Sequence, residues 1–356
     1  MDIIRARIHH QHLGKEKRTS PANAVAWFGA VQAQDYHAAL WGVSLRLSGV
    51  TLASLEAEFN NGSFLRTHVL RPTWHFVAPD NVRWMQQATA HRVRLLMAGY
   101  DRSFGIDRKF IRRTNTLLEK ELRDATYLTR EELADRLKRN RVTAEGQKLA
   151  HIMMHAELDA LICSGPRRGN QFTYALLDER APVQRPLEKE EALAELAAIY
   201  VRSHGPVLLK DFAWWSGLTL KEAGIGLNAA APGLRHETIG GQEYWSAAGV
   251  RSAVPPPPSA LLLSVYDEFH IAYKDRSALG GAEYDTTLKS MGNDLTSLLL
   301  IDGRIAGTWK RTLGTRKAEI TVSRLRRLTA NEKKVVRAEG ERYGAFAERP
   351  CTVTFL

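Results

Sequence analysis

The chain has 356 residues, 44% hydrophobic and 25% charged, an ordinary globular composition that predicts two to four compact units. Its 50 Lys and Arg against 39 acids give +11, which favours a polyanionic partner, nucleic acid ahead of anionic lipid, with a merely soluble basic surface as the plain alternative. No apolar run approaches the roughly 20 residues that span a bilayer, and "MDIIRARIHHQHLGK" lacks an apolar signal core, so neither membrane nor export is expected.

In chain order, "TSPANAVAWFGAVQ" opens a helix, with Ser20 as N-cap and Pro21 at the first helical position. "HAALWGVSLRLS" and "TLASLEAEFNNGS" continue to a break at Asn61-Gly62, and "FLRTHVLRPTWHFVAP" reads as a strand pair. "YLTREELADRLKRN" holds a capping box, Thr129 with Glu132, and sets Leu133 and Leu137 on one face. "EGQKLAHIMMHAELDALICSG" reads as one apolar helix stopped by Gly165-Pro166. "PRRGNQFTYALLDER" then supplies a basic turn and an alternating strand through Phe172, Tyr174 and Leu176. "KEEALAELAAIYVRSHGP" and "LLKDFAWWSGLTLKEAGIGLNAAA" repeat the helices and close on "LRHETIGGQEYWSA", a hairpin turning at Gly240-Gly241. Pro255 to Pro258 form a stiff connector. Beyond it "ALLLSVYDEF", "LLLIDGRIAGTWKRTLG" with a turn at Asp302-Gly303, and "RKAEITVSRLRRLT" read as strands. "ANEKKVVRAEGERYGAFA" then reads as a helix and "CTVTFL" as a last strand.

One pattern recurs three times, helix, turn, helix and then a basic or Gly-punctuated β-hairpin, which is the make-up of a winged helix. The expected class is α+β: three tandem winged helices over 1–100, 101–185 and 186–254, then a small β-rich C-terminal domain over 259–356. A generic α/β domain with amphipathic helices is the alternative.

Basic residues collect at Arg136, Lys138 and Arg139, at the wing residues Arg167 and Arg168, at Lys310 and Arg311, and in "SRLRRL". Solvated helix faces often look like the first cluster. Several clusters in one chain nevertheless favour a long, sequence-indifferent grip on double-stranded DNA. No coiled-coil heptad is visible, so a monomer is expected, in the cytoplasm at the nucleoid. Cys163 and Cys351 stand far apart without a CxxC partner, against a disulfide framework or zinc knuckle. His151 and His155 have the i,i+4 spacing of metal ligands, but no further clustered ligand is evident, so no metal is expected. Without a P-loop or dinucleotide-type glycine loop, nothing argues for a cofactor.

"VQAQDY" sets Gln32 and Gln34 two apart between two helical segments. On a helix, residues i and i+2 diverge, but at a helix end they can converge, and Asp35 is placed to cap the next helix. Two convergent amides can hold one water. Glutamine is a feeble base, adequate only where the leaving group is already activated, as an N-alkylated cationic purine is. A structural role, in which the amides tie down a loop, is the competing reading.

"WFGAVQAQDYHAALWGVSLR", "LRPTWHFVAPDN", "VYDEFHIAYKDRS" and "IDGRIAGTWKR" resemble the winged-helix DNA glycosylases of the AlkZ and YcaQ type, over nearly the whole chain. Gln-aliphatic-Gln marks the AlkZ branch of that family and Gln-aliphatic-Asp the YcaQ branch; Gln32-Ala33-Gln34 is similar to the former. The resemblance implies a monofunctional glycosylase that excises N-alkylated purines from DNA and, as in some members, unhooks interstrand crosslinks, with Gln32 and Gln34 positioning the water. The alternative is a non-catalytic winged-helix DNA-binding protein or regulator. In "RPTWHF", strand alternation puts Thr73 and His75 on one face and Trp74 on the other. With Arg71, Thr73 and His75 are candidate contacts to DNA or an extruded nucleotide, or else a satisfied polar face. Trp214-Trp215 reads as core rather than a stacking platform. In "YDEFHIAYKDRS", Tyr266, Asp267, Glu268, Asp275 and Arg276 read as a clasp between domains more readily than as paired acids at work. "RTLGTRK" is a hairpin tip that could enter an opened duplex.

Overall fold

The computed structural model describes residues 2–183, 185–247, 260–280 and 296–356; the Pro255 to Pro258 connector lies outside them. Helices and strands alternate along the chain. Ser20 caps α2 (Pro21–Phe28; α1 is Ile3–His10), and its side chain accepts from the Asn23 amide. Asp35 caps α3 (Tyr36–Ser44) in the same way, through the Ala38 amide. Thr51 and Ser54 cap each other at the start of α4 (Leu52–Asn61). Between α2 and α3 the chain is not a bare helix break. Ala30–Gln32 is a short strand, β1, in an antiparallel sheet ordered β1-β3-β2, with β2 Leu65–Val69 and β3 Arg71–Val77.

Two helices that the sequence reading passes over come next: α5 (Pro79–Ser103) and α6 (Arg108–Leu122). The capping box of Thr129 and Glu132 opens α7 (Arg130–Arg139). The apolar segment after it is not one helix to Gly165. It ends at Leu158 (α8, Gly146–Leu158), turns through Ala160 at φ 55, and continues as β5, Ile162–Ser164. Burial alone does not separate a buried helix from a central strand; here Ile162 and Cys163 pair with β6 (Thr173–Leu176), while β4 (Leu128–Thr129) flanks its other edge. Then come α9 (Lys189–His204), α10 (Leu209–Ser216), α11 (Leu220–Ala230) and the two-stranded β7–β8, Leu234–Ile239 with Gln242–Ala247. Gly217 at φ 70 breaks α10 from α11 in close contact with the Leu70 carbonyl.

"ALLLSVYDEF" is strand only over Ala260–Leu263 (β9); Asp267 then caps a one-turn helix, α12 (Glu268–Ile271). The side chain of Asp267 accepts from the Phe269 amide, which favours the turn over a longer strand. With β10 (Leu298–Ile301), β11 (Arg304–Leu313), β12 (Ala318–Arg324) and β13 (Cys351–Phe355), β9 makes a five-stranded sheet packed by the helix Ala330–Phe346. This sheet does not have a core to itself. Its buried leucines share one apolar cluster with Val25, Phe28, Trp41, Phe59 and Phe76 of the N-terminal region. The Trp41 indole donates to the Leu262 carbonyl at 2.7 Å and packs edge-on against Tyr343. The two ends of the chain therefore close around the segment that holds Gln32 and Gln34.

Candidate active site

Gln32 ends β1, with His75 as its cross-strand partner. Pairing runs one residue further, the Ala33 N–H donating to the Trp74 carbonyl at 2.7 Å. Strand alternation puts Gln32 on the His75 side of the sheet and Ala33 on the Trp74 side. Gln32 is buried; Gln34, just beyond the strand, is exposed.

Gln32 is held at two points. Its backbone N–H donates to Glu268 Oε1 at 2.8 Å, and its Oε1 accepts from Arg71 Nη2 at 2.8 Å. Arginine has donors only, so this contact settles which way the amide faces and leaves Gln32 Nε2 as the spare donor. Glu268 is 2% exposed; its Oε2 accepts from the Trp215 indole at 3.1 Å and lies 3.4 Å from His204 Nε2. Beside it Asp267 grips Arg46 with both oxygens at 2.5 and 2.7 Å, and Arg46 also donates to the Gly42 carbonyl and Gln11. The acids of "YDEF" thus join the N-terminal region to the C-terminal one, and one of them touches the backbone of the first glutamine.

His75 is buried. Its Nδ1 donates to the Thr73 carbonyl at 3.0 Å, which leaves Nε2 as a lone pair 3.5 Å from Arg71 Nη2. Burial first and the Arg71 charge second hold its pKa well below the usual histidine value, so the ring is neutral at physiological pH. Burial lowers the pKa of Arg71 as well, against the pull of Glu268. Thr73 Oγ1 is buried with no hydrogen-bond partner among the described residues.

On the sheet's other face Arg66 Nε donates to the Ala33 carbonyl at 3.0 Å, and its guanidinium lies between the Trp74 and Phe172 rings, 4.4 Å from each centroid. Burial brings its pKa to about 10, still a cation at neutral pH. A cavity of about 350 Å³ opens beside it, lined by Arg66, Trp74, Arg130, Gln171, Phe172 and Tyr174 among others. Glu157 supports the same face by accepting from the His68 amide and ring.

A family model described as "DNA glycosylase AlkZ-like" matches residues 25–346. The chain belongs to the AlkZ-like DNA glycosylase family. A protein of Streptomyces sahachiroi named an interstrand DNA cross-link repair glycosylase is 23% identical over 329 residues, 85% of either chain. The solved structure of the Streptomyces sahachiroi DNA glycosylase AlkZ superposes with a TM-score of 0.83 at 19% identity, covering 100% of this chain and 98% of that one.

The basic residues of this AlkZ-like chain fall into two sorts. Lys138 and Arg139 are exposed at the end of α7 and make no ion pair among the described residues. Arg136, also exposed, stands 3.5 Å from Glu121, and Arg168 pairs with Glu132 at 2.8 Å. Arg167 turns inward: it pairs with Glu56 at 2.5 Å and lies over the Tyr36 ring. A cation already neutralised and stacked has little left for a phosphate, so Arg167 drops out of the contact set. Lys310 is exposed on β11, and Arg311 beside it stands 3.7 Å from Asp35, which brings that hairpin next to Gln34. Trp215 is core, whereas Trp214 is 40% exposed with its indole donating to Ile271.

Arg46, Arg66 and Glu157 escape the sequence reading, and Glu268 enters it only as half of a clasp. Their signal is faint but physical: a charged residue inside an otherwise apolar run, as in "WGVSLRLS" and "FLRTHV", needs a buried partner.

Proposed function

We propose that this chain is a monofunctional DNA glycosylase that excises N-alkylated, cationic purines and serves in interstrand crosslink repair. The observation that carries the reading is the two-point anchoring of Gln32 beside an exposed Gln34. Family membership and the name of the Streptomyces sahachiroi relative support the reaction class. Gln34 lies one residue past the last paired position, where its exposed side chain is free to turn toward the Gln32 side, so both amides can reach one water. Gln32 Nε2 donates to the water oxygen, and Gln34 Oε1 accepts one of its protons.

The purine leaves first in charge terms. As the N9–C1′ bond lengthens, its electron pair neutralises the cationic base and the sugar takes on oxocarbenium character. Water oxygen then bonds to C1′, and the surplus proton passes along Gln34 to solvent. An amide cannot keep that proton, which fits a reaction whose driving force lies in the leaving group. The buried carboxylate of Glu268, behind Gln32, offsets the Arg71 charge that would otherwise oppose the growing cationic character. No Schiff-base lysine takes part, so an abasic site remains.

The architecture proposed with this function is three winged helices over 1–100, 101–185 and 186–254. α7, α8 and the β5–β6 hairpin are the clearest; the β-rich C-terminal domain is proposed over 259–356, and its sheet of β9 to β13 braces the first winged helix. Lys138, Arg139, Arg136, Arg168 and Lys310 supply phosphate contacts, and Arg71, Thr73 and His75 the polar floor beneath the lesion. The test is release of 7-methylguanine from methylated duplex DNA by the whole chain. Free base with alkali-labile abasic sites is expected. Binding to undamaged DNA with strong sequence preference and no base release would make the chain a regulator instead.

A further inference from the structure

The i,i+4 histidines of α8 lack a third ligand in the sequence, and the fold supplies one. Asp101, in the last turn of α5, sends one oxygen to His151 Nδ1 at 2.8 Å and the other to His155 Nε2 at 3.0 Å. The three candidate donor atoms lie within 4.8 Å of one another. We propose that Asp101, His151 and His155 form a binding site for a divalent transition-metal ion, zinc foremost, which staples the C-terminal end of α5 to α8.

The donor set is the first argument. Two imidazoles and one carboxylate suit zinc, cobalt or nickel and not magnesium or calcium, which take oxygen shells. Three protein ligands with an open fourth position is a known zinc arrangement, and the fourth here is water. The geometry is the second. Zinc with bonds of about 2.0–2.2 Å at tetrahedral angles sets its ligand atoms about 3.3–3.6 Å apart. The N···O separations of 2.8 and 3.0 Å, each to a different oxygen of Asp101, need to open by a few tenths of an ångström, and the remaining ligand separations, all within 4.8 Å, need to close by at most about 1.5 Å through side-chain torsions. Backbone need not move, because both histidines already sit on one helical face and Asp101 already faces them.

Burial is the third argument. His155 is 3% exposed at its side chain, whereas His151 and Asp101 are 13% and 12% exposed, so an ion has a route in and water can reach the fourth position. Phe104 and Tyr100 pack around the His151 ring and limit its rotation. His155 Nδ1 has no hydrogen-bond partner among the described residues. The Asp101 carboxylate holds the proton on Nε2 in the present contact; with no donor on the Nδ1 side, the proton can move to Nδ1 and free the Nε2 lone pair when a cation takes the place of that hydrogen bond.

The staple matters beyond its own helices. Glu157 stands two residues beyond His155 near the C-terminal end of α8, where it holds His68 and so the sheet bearing Ala33 and Gln32. Metal binding is therefore expected to stabilise the chain without entering the reaction.

The experiment uses the full chain. Equilibrium dialysis against micromolar Zn²⁺ with metal analysis, Co²⁺ absorption and thermal melting are compared for the wild type, Asp101→Asn, His151→Ala and His155→Gln. One ion per chain is expected, with the intense visible band of low-symmetry Co²⁺ and a Tm rise of about 3–4 °C when Zn²⁺ is about a hundredfold above its Kd. Each of the three variants should lose the band and the Tm rise. Asp101→Asn keeps the side-chain shape, and circular dichroism checks that it folds. His9→Ala with His12→Ala, which removes two of the three N-terminal histidines as a control, should leave both intact. No stoichiometric ion in the wild type, or an ion that survives in all three site variants, overturns the proposal.

Discussion

Gln32 and Gln34 are the same residue type two positions apart, yet the structure predicts different consequences for replacing each with alanine. Gln34 is exposed and its side chain makes no hydrogen bond among the described residues, so Gln34→Ala should leave stability within about 0.5 kcal/mol. Gln32 Oε1 is the acceptor for the Arg71 guanidinium at 2.8 Å, and the remaining neighbour of that nitrogen, His75 Nε2, stands off at 3.5 Å. Gln32→Ala therefore leaves a half-buried cation short of an acceptor. A charge-assisted hydrogen bond lost in this way costs about 1.5–3 kcal/mol. Both variants should slow base release by about 10- to 1000-fold, which corresponds to about 1.4–4 kcal/mol in activation free energy. Single-turnover release of 7-methylguanine gives the rates, and denaturant melting of the same preparations gives the stabilities. Neutral amides release no counterions, so DNA affinity should hardly move. Gln34→Asp should keep activity, since it supplies a true base. Full activity in the folded double alanine variant would refute the assignment. Equal loss of stability in the two single variants would refute the anchoring on which the split rests.

The remaining expectations use the same contacts. Affinity for undamaged duplex should fall steeply with salt. Lys138→Ala with Arg139→Ala should reduce the log–log slope by about 2 units, while Arg167→Ala should leave the slope alone and lower the melting temperature. Burial holds the pKa of His12 at about 4 and that of His270 at about 3, with His10, His75 and His204 also lowered. The unfolded chain then binds more protons than the folded one below pH 6.5. Stability should be full above that pH and fall toward pH 4, by up to about 1.4 kcal/mol per unit for each such ring, as melting across that range will show. His270→Asn should flatten that slope. Gly217→Ala should destabilise the chain strongly, because its Cβ would stand 2.3 Å from the Leu70 carbonyl at φ 70, and thermal melting measures the loss.

Local signals carried far in this sequence, and long-range ones did not. Capping residues such as Ser20, Asp35 and Thr129 mark helix starts through hydrogen bonds to residues three places on, so the sequence contains the whole interaction. The turns at Gly240-Gly241 and Asp302-Gly303 are legible for the same reason. Failures begin where a partner is remote. β1 exists because Val31 pairs with Phe76, and nothing within "AVQAQ" announces that. Ile162 and Cys163 look like the tail of an apolar helix until β6 arrives to pair with them. The C-terminal strands are legible as strands, but the sequence does not say that they share a core with Trp41 and Phe28. The site divides along the same line. Gln32, Gln34 and His75 stand in recognisable motifs, whereas Glu268 reaches Gln32 across 236 residues of sequence.

That remote contact bears on why a neutral amide suits the centre of the proposed site. A carboxylate in the place of Gln32 would lie against Arg71 and close to Glu268, and would form an ion pair with the one while repelling the other. Either way its lone pairs would be drawn from the water. The amide avoids both effects: one lone pair satisfies Arg71, and its N–H groups point away as donors. Charge is instead kept one layer back, in Glu268 and in the Arg46–Asp267 pair, where it is buried and cannot compete for the proton. Gln34 is free of this constraint because it lies outside the sheet, so it is the position at which an acidic residue can be accepted. The asymmetry between the two glutamines thus follows from the Arg71 contact that Gln32 makes and the exposure of Gln34, and it predicts that Gln32→Glu fails under conditions where Gln34→Asp works.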